Sequence, residues 1–433
     1  MENKMIKTPS ENWLGEIPQA WETTRIGSLY ILRTEKVSDK DYPPLSVTKR
    51  GIVPQLESAA KTNDGDNRKL VCIGDFAINS RSDRRGSCGI SKYEGSVSLI
   101  NTILKPRDEM NPEYYDWLFH TTQFGDEFYK WGHGIVDDLW TTGWQEMKRI
   151  IIPVPPLDEQ KRIAQFLNSK CFEIDTLYSD IEKQVETLEE YKKAIITEAV
   201  TKGLNPDVEL KNSEIEWIGE INKGYLLGKL GLFSYVTKLA GFEYTDTMSK
   251  MIREEGEVPI VRAQNVKMLK NNFNSINEFI DLRTSIKLNR CALEKKSLLI
   301  TFIGAGIGDI CVFDEKKRYH LAPNVAKIEI VRKNKLIEEY VMYYISSYAG
   351  IGEINKITKA SAQPSLSMET IRDIKILIPS LKEQQEIVEY LDEKCSEIDG
   401  LIKDKKEQLE LLEYYKKSLI YEYVTGKKTI AEE

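Results

Sequence analysis

Cysteine is sparse and unpatterned in this chain: six occur in 433 residues, at 72, 88, 171, 291, 311 and 395, and none makes a CxxC pair. A zinc knuckle or a disulfide framework is therefore not expected. Histidine is scarcer still. His120, His133 and His320 have neither metal-ligand spacing nor a nucleophile beside them in sequence, so no metal site and no histidine-based catalysis is expected. Long apolar runs are also missing, and the longest, residues 298–308, falls far short of the ~20 residues that cross a bilayer. The opening MENKMIKTPSENW has no apolar core of the kind a signal peptide needs. The expected compartment is the cytoplasm, with no membrane contact. Basic charge is in deficit, with 61 Lys and Arg against 68 Asp and Glu, net −7, which at first sight argues against a nucleic-acid partner.

That deficit is unevenly placed. Residues 1–156 carry a net −2, 157–203 −3, 204–380 +3 and 381–433 −5. The acid is concentrated in the second and fourth segments, and a near-neutral body can still present a basic face. Hydrophobic content of 41% and charged content of 30% describe an ordinary globular protein, long enough for two cores.

What the chain does contain is a duplication. Residues 157–201, LDEQKRIAQFLNSKCFEIDTLYSDIEKQVETLEEYKKAIITEAVT, return without a gap 224 positions later as 381–425, LKEQQEIVEYLDEKCSEIDGLIKDKKEQLELLEYYKKSLIYEYVT, with 23 of 45 positions identical. Composition alone would give about three matches. A weaker echo opens each copy at an offset of 204: Trp13-Leu-Gly-Glu-Ile17 returns as Trp217-Ile-Gly-Glu-Ile221, and Arg25-Ile-Gly27 as Lys229-Leu-Gly231. Between lead-in and duplicated segment lie 129 residues in the first copy and 149 in the second, with little likeness between them. The plan is two bodies, 1–156 and 204–380, each followed by a helical spacer, 157–203 and 381–433.

The duplicated segment has the period of a long helix. Ile174, Ile181, Leu188 and Ile195 fall seven apart with Leu177, Gln184 and Tyr191 between them, and Ile398, Lys405, Leu412 and Leu419 repeat this with Leu401, Gln408 and Tyr415. Val185, Ile402 and Leu409 widen the stripe, so each helix is expected to have more than one neighbour. Gln184 and Gln408 share one seam position, either as a buried amide pair that fixes register or at a solvated seam edge. Prolines at 155, 156 and 379 precede the helices, and Ser380 with Glu383 forms an S-x-x-E capping box. Gly203 and Gly426 are set to stop them. Residues 175–201 give a rod of roughly 40 Å, close to one turn of B-DNA at about 34 Å. Two domains held that far apart could read two half-sites on one face of a duplex. Cys171 and Cys395 are repeat equivalents expected to be buried small hydrophobes.

Both bodies mix short β-rich runs with helices near their ends. LVCIGDFAINS and SVSLINTIL flank the polar loop from Arg81 to Cys88, and SLLITFI and NVAKIEIV flank a glycine-rich loop and a charged turn at 314–318. An offset of 222 pairs Ile78 with Ile300, Gly86 with Gly308 and Leu99 with Leu321. Helices are expected around 112–128 and 336–348. The predicted fold class is mixed α/β: two globular α/β domains with a twisted mixed sheet, separated by two long antiparallel coiled-coil helices, with an internal pseudo-twofold repeat.

Candidate DNA contacts are Arg81, Arg84 and Arg85 with Ser82 and Ser87 among them, since guanidinium groups read guanine edges or clamp phosphates. Lys49 and Arg50 add a basic pair. In VPIVRAQNV, residues 258–266, Arg262 suits guanine, and Gln264 and Asn265 suit adenine. Strand alternation would put Arg262 and Gln264 on one face, the alternative for Asn265 being a loop residue that merely ends the strand. Two enzyme-like signals fail on context. The Phe302-Ile-Gly304-Ala-Gly306-Ile-Gly308-Asp309 turn has no clear acidic residue ending a following strand, and Asn111-Pro-Glu-Tyr114 has Glu113 where an amino-methyltransferase signature has a second proline.

Together, IPVPPLDEQKRIAQFL (152–167), ILIPSLKEQQEIVEYL (376–391), the lead-ins WLGEIP and WIGEI, and VPIVRAQNV give a pattern that resembles the specificity subunit of type I restriction-modification systems over essentially the whole chain. Lys382 stands in place of Asp158 and Asn222 in place of Pro18, small departures. The resemblance implies two target recognition domains, each reading half of a split double-stranded DNA sequence. It also implies assembly with two methyltransferase subunits that hold S-adenosylmethionine and two ATP- and Mg-dependent endonuclease subunits. The chain itself would be non-catalytic, with no cofactor or metal. Candidates for subunit contact are Ile163 with Ile387, Leu167 with Leu391, and the pairs Glu159-Gln160 and Glu383-Gln384, for which helix-end capping is an equal alternative. The expected coiled-coil seam is Ile174, Ile181, Gln184, Leu188, Ile398, Gln408 and Leu412.

Overall fold

The computed structural model describes residues 6–9, 12–55, 65–134, 140–359 and 365–430. The chain divides into two compact units, residues 1–182 with 407–433, and residues 183–406. The cut falls inside both long helices, α3 (Leu157–Lys202) and α6 (Leu381–Val424), so each unit takes one half of each.

In the first unit, a four-stranded antiparallel sheet is built from β2 (Tyr30–Leu32), β3 (Phe76–Asn79), β4 (Cys88–Ile90) and β5 (Asn101–Pro106), in the order β4-β3-β5-β2. Against it pack α1 (Pro112–Phe119) and α2 (Thr122–Lys130), separated where Thr121 caps α2 by accepting from the Phe124 N–H. Tyr30, Phe76, Tyr115, Phe119, Phe124 and Phe128 form a run of fully buried, mostly edge-on or tilted rings at the centre of this core. β1 (Glu22–Arg25) pairs with β6 (Ile151–Val154), which leads into α3.

The second unit repeats the frame. β8 (Ser234–Lys238), β10 (Ser297–Thr301), β11 (Ile310–Phe313) and β13 (Val325–Ile330) form a sheet in the order β8-β13-β10-β11, with α4 (Glu338–Ser346) and α5 (Tyr348–Lys359) following. β7 (Leu226–Lys229) pairs with β14 (Lys375–Ile378) before α6. A second small sheet holds β9 (Val258–Val261) and β12 (Tyr319–Leu321) side by side in parallel, so that sheet is mixed, while the four-stranded sheet of each frame is antiparallel. The offset of 222 holds at the central strands, where Ile78 faces Thr102 and Ile300 faces Ala326. It fails further on. The shared frame puts β5 and β13 at an offset of 224, Leu99 lies exposed in the turn before β5, and Leu321 is buried in β12.

The duplicated helix starts are tied to the bodies by one repeated set of bonds. The carboxamide oxygen of Gln160 accepts from the N–H of Asn111, the residue that caps α1, and its amide donates to the Pro155 carbonyl, at 2.9 and 2.8 Å. Gln384 does the same with Ile337, at the N-terminus of α4, and with Pro379 and Lys335. The Glu159 carboxylate accepts from the indole N–H of Trp21, and Glu383 accepts from the Tyr225 hydroxyl. Ser380 does accept from the Glu383 N–H, but the Glu383 carboxylate is spent on Tyr225, so only half of the expected capping box is realised.

Within each unit the helix halves run antiparallel. In the first, Asp175 meets Lys416 at 2.6 Å and Phe166 packs on Tyr423 with ring centroids 4.5 Å apart. In the second, Lys192 meets Asp399 at 2.8 Å over a cluster of Val185, Ile398 and Ile402. Ile174, Ile181 and Ile398 are buried, and Leu188 and Leu412 half-buried, as seam residues. Gln184 and Gln408 are not: both are exposed, as are Leu177, Tyr191, Leu401 and Tyr415. The seam takes the other neighbouring row, Cys171, Tyr178, Val185 and Lys192, because those positions combine with 174, 181 and 188 in the 3-4 spacing that turns one stripe inward. Burial pushes the Cys171 and Cys395 thiols up to about 11, as befits inert core positions. Gly203 and Gly426 end the helices in the left-handed region, at φ 86° and 70°.

Candidate nucleic-acid interface

Antiparallel pairing decides which loops meet. β3 ends, β4 and β5 begin, and β2 ends at one edge of the first sheet, so the 80–87 loop and the chain leaving β2 share that edge. Arg81 is bridged to Thr141 and its N–H donates to Asn79 Oδ1 at 3.0 Å. A 3-10 turn then spans Ser82–Arg84, and Gly86 takes φ 73° to bring the chain back into β4. The side chain of Ser82 lies outside the described residues.

Three arginines in this loop have different surroundings. Arg85 is held from both sides, by Asp126 at 2.8 Å and by the ring of Tyr129 at 5.2 Å. Arg84 is 66% exposed beside Asp83 at 3.3 Å, free to meet an outside acceptor. Arg81 is half-buried. Ser87, expected among the contacts, is instead buried, its N–H donating to Arg84 and its carbonyl accepting from Asn79, so it closes the loop and touches nothing outside. Lys49 and Arg50 form the exposed turn of a hairpin, Leu45–Thr48 with Gly51–Pro54. Gly51 packs so closely on β4 that a Cβ on Gly89 would lie 2.8 Å from its Cα. The hairpin tip thus joins the arginine loop at the same edge.

In the second unit the same edge carries different chemistry. Residues 302–308 hold no cation, and Gly304 and Gly308 take φ 102° and 91°. The loop is stitched to its own frame through Leu366 N–H to Phe302 O, Gly308 N–H to Thr301 O and an Ile303–Ser365 bridge. Lys238, at the end of β8, lies over the Phe302 ring at 4.6 Å.

The VPIVRAQNV residues do not continue as a strand. β9 stops at Val261 and Ala263–Asn265 is a 3-10 turn, so alternation does not apply. Arg262 is ion-paired with Glu278, and Gln264 is exposed. Asn265 is buried, accepting from the Arg262 N–H and donating to Asn272 and Ser275. It ends the strand and is withdrawn as a DNA contact. Lys267, in the hairpin that follows, faces Asp309, whose carboxyl is raised by burial against the pull of that cation.

The expected subunit-contact residues are also corrected. Ile163, Leu167, Ile387 and Leu391 are 0–2% exposed inside their own cores, and Gln160 and Gln384 are equally buried. They fasten helix to body, and no partner can reach them in this arrangement. The apolar surface left open lies on the other side of the helices. In the first unit Leu177, Leu411, Tyr414 and Tyr415 line an open groove of about 560 Å³. Among the described residues no group of three His, Cys, Asp or Glu gathers to hold a metal, and no helix is long and apolar enough to cross a membrane.

Two such frames, each leading into a long helix and each with its own loop edge, define a duplicated two-unit α/β protein. Residues 240–411 match the family described as the type I restriction modification DNA specificity domain. The chain is 26% identical over 96% of its length to a putative type I restriction enzyme MjaX specificity subunit of Methanocaldococcus jannaschii, covering 95% of it. It is also 26% identical to the MjaVIII specificity subunit of the same organism, over 95% of this chain and 93% of that one. A chain of a solved type I R-M system superposes with TM-score 0.72 at 14% identity, covering 95% of this chain and 99% of that one. The HsdS subunit from Thermoanaerobacter tengcongensis follows at 0.53 and 14%, covering 95% and 98%. Over most of its length the chain is thus similar to type I restriction enzyme specificity subunits, and its fold is that of the HsdS chain.

Proposed function

We propose that the chain reads a split double-stranded DNA target, one half-site per unit, and brings a partner adenine-N6 methyltransferase and an ATP-dependent endonuclease to it. The observation that carries this reading is the repetition of one frame with two different loop edges: arginines and a basic hairpin in the first unit, a glycine loop with Lys238 in the second. Identical frames present side chains in equivalent places, while unlike side chains specify unlike half-sites. Arg84 is assigned to base or phosphate contact, with Lys49, Arg50 and Arg81 beside it, and Arg85 holds the loop. Arg262 and Gln264 remain candidates in the second unit.

Methyl transfer with S-adenosylmethionine, and ATP- and Mg-driven cleavage, belong in this reading to partner subunits, two of each, acting with this chain on host DNA in the cytoplasm. An exposed apolar groove on a long helix pair favours a covering helix, and the groove at Leu177 and Tyr414 is assigned to the methyltransferase partner. The test is co-expression with that partner and long-read mapping of N6-methyladenine, against a partner-only control. A split motif that disappears without this chain is expected; a stable complex that leaves no motif would refute the reading.

A further inference from the structure

The loop edge of the second unit carries no arginine cluster, yet it holds one large side chain away from the protein surface. β8 runs antiparallel to β13 and ends at Lys238, opposite Ala326, and the Phe302 N–H donates to Asn324. The chain leaving β8 therefore emerges beside the glycine loop, with the Lys238 ammonium on the Phe302 ring. Four residues on stands Phe242, 69% exposed.

Its surroundings are fixed. Leu239 and Met248 on either side are buried at 5% and 0%. The Ala240 N–H donates to Glu243 Oε2 at 2.8 Å, and the Tyr244 N–H to the Ala240 carbonyl at 3.1 Å. Arg290 then locks the segment by donating to the Lys238 carbonyl at 2.9 Å and to Glu243 Oε2 at 2.6 Å. The backbone continues through a π-helical turn, Tyr244–Met248, and a 3-10 turn, Ser249–Met251, a local irregularity often found at functional sites. Exposed Lys250 and Arg253 follow; the acidic side chains of this stretch are Glu243, held by Arg290, and the exposed Asp246, Glu254 and Glu255. By the lead-in offset of 204 the equivalent of Phe242 in the first unit is Ser38, so this ring is particular to the second unit.

We propose that Phe242 is a DNA-contacting wedge of the second unit, pressing on a base step of its half-site while Lys238, Lys250 and Arg253 face the flanking phosphates. The inference rests on the DNA reading above. A ring on a fixed backbone leaves only its own rotamers to be ordered when it meets a base step, and apolar side chains that enter a step unstack it most readily at flexible pyrimidine–purine sites.

The test uses the full chain with its methyltransferase partner and duplexes bearing the mapped motif, with 2-aminopurine placed in turn through the second half-site. Apart from the methylated adenine, which the methyltransferase itself unstacks, wild type is expected to raise fluorescence at one step. Phe242→Ala should abolish that rise and weaken binding roughly 5- to 150-fold, while Phe242→Leu keeps part of both. Because the ring is exposed, the melting temperature of Phe242→Ala should match wild type. Unchanged binding and fluorescence in Phe242→Ala overturn the wedge while leaving the DNA reading standing. Failure of the wild-type complex to select any duplex removes the DNA reading, and the wedge with it.

Discussion

Gln384 is fully buried and both ends of its amide are in use, on the Ile337 N–H and on the Pro379 and Lys335 carbonyls. Gln384→Leu would keep the volume but strand those groups, at a cost of about 1–3 kcal/mol, read as a lower urea midpoint; Gln160→Leu should do the same in the first unit. A loss below about 0.5 kcal/mol would mean that water replaces the amide. Arg84→Ala should leave folding alone and make one position of one half-site degenerate in the methylation map, worth roughly 1–3 kcal/mol of discrimination. The Glu-Gln pairs were legible as important from their duplication, but their role was not. Glu and Gln at a helix start can cap it, face a partner or bind their own body, and only the positions of Trp21, Tyr225, Asn111 and Ile337 decide. Ser87 and Asn265 misled for the same reason: polar side chains suit DNA and suit turn closure equally well.

At the scale of elements, the long helices were readable nearly to the residue because heptads, prolines and terminal glycines all agree. The seam was read one row off, since Leu177 and Tyr191 are as apolar as the residues that actually turn inward. Ile398→Ala should cost about 2–4 kcal/mol, whereas Gln408→Ala should stay within about 0.5 kcal/mol; equal losses would restore the 184/408 row. Burial disfavours the Asp399 carboxylate, but hydrogen bonds from Lys192 and Lys270 outweigh that and hold its pKa below the usual value. A carboxyl lowered on folding adds stability above its unfolded pKa of about 3.9 and loses it as pH falls through the lower folded value. Asp399→Asn should therefore lower the melting temperature slightly at pH 7, the site being part-exposed, and the gap to wild type should close below about pH 4. The short strands were less legible: LVCIGDFAINS is two strands and a turn, because Gly74 takes φ 87° inside what reads as one apolar run.

At the scale of the molecule, each unit needs half a helix from each copy of the repeat, and the residues 183–200 of one copy correspond to 407–424 of the other. A chain ending near Gly203 should dimerise, each copy's 183–202 filling the place of the absent 407–426, and with the methyltransferase should mark a palindromic site. Light scattering and methylation mapping test this, and a folded monomer would contradict it. The two-body plan could be seen in the duplication, but this exchange of helix halves could not, since a repeat does not say which copy packs on which body. One bond draws out a consequence in time. The Tyr114 hydroxyl donates to the Val424 carbonyl, 310 residues away. On the ribosome, the first unit is begun first and finished last, since 224 residues separate its two pieces and take roughly 10 to 45 s to make at common elongation rates. During that interval the aromatic core around Phe119 waits without its last helix, so a nascent chain stalled before residue 407 is the form most exposed to proteases and chaperones.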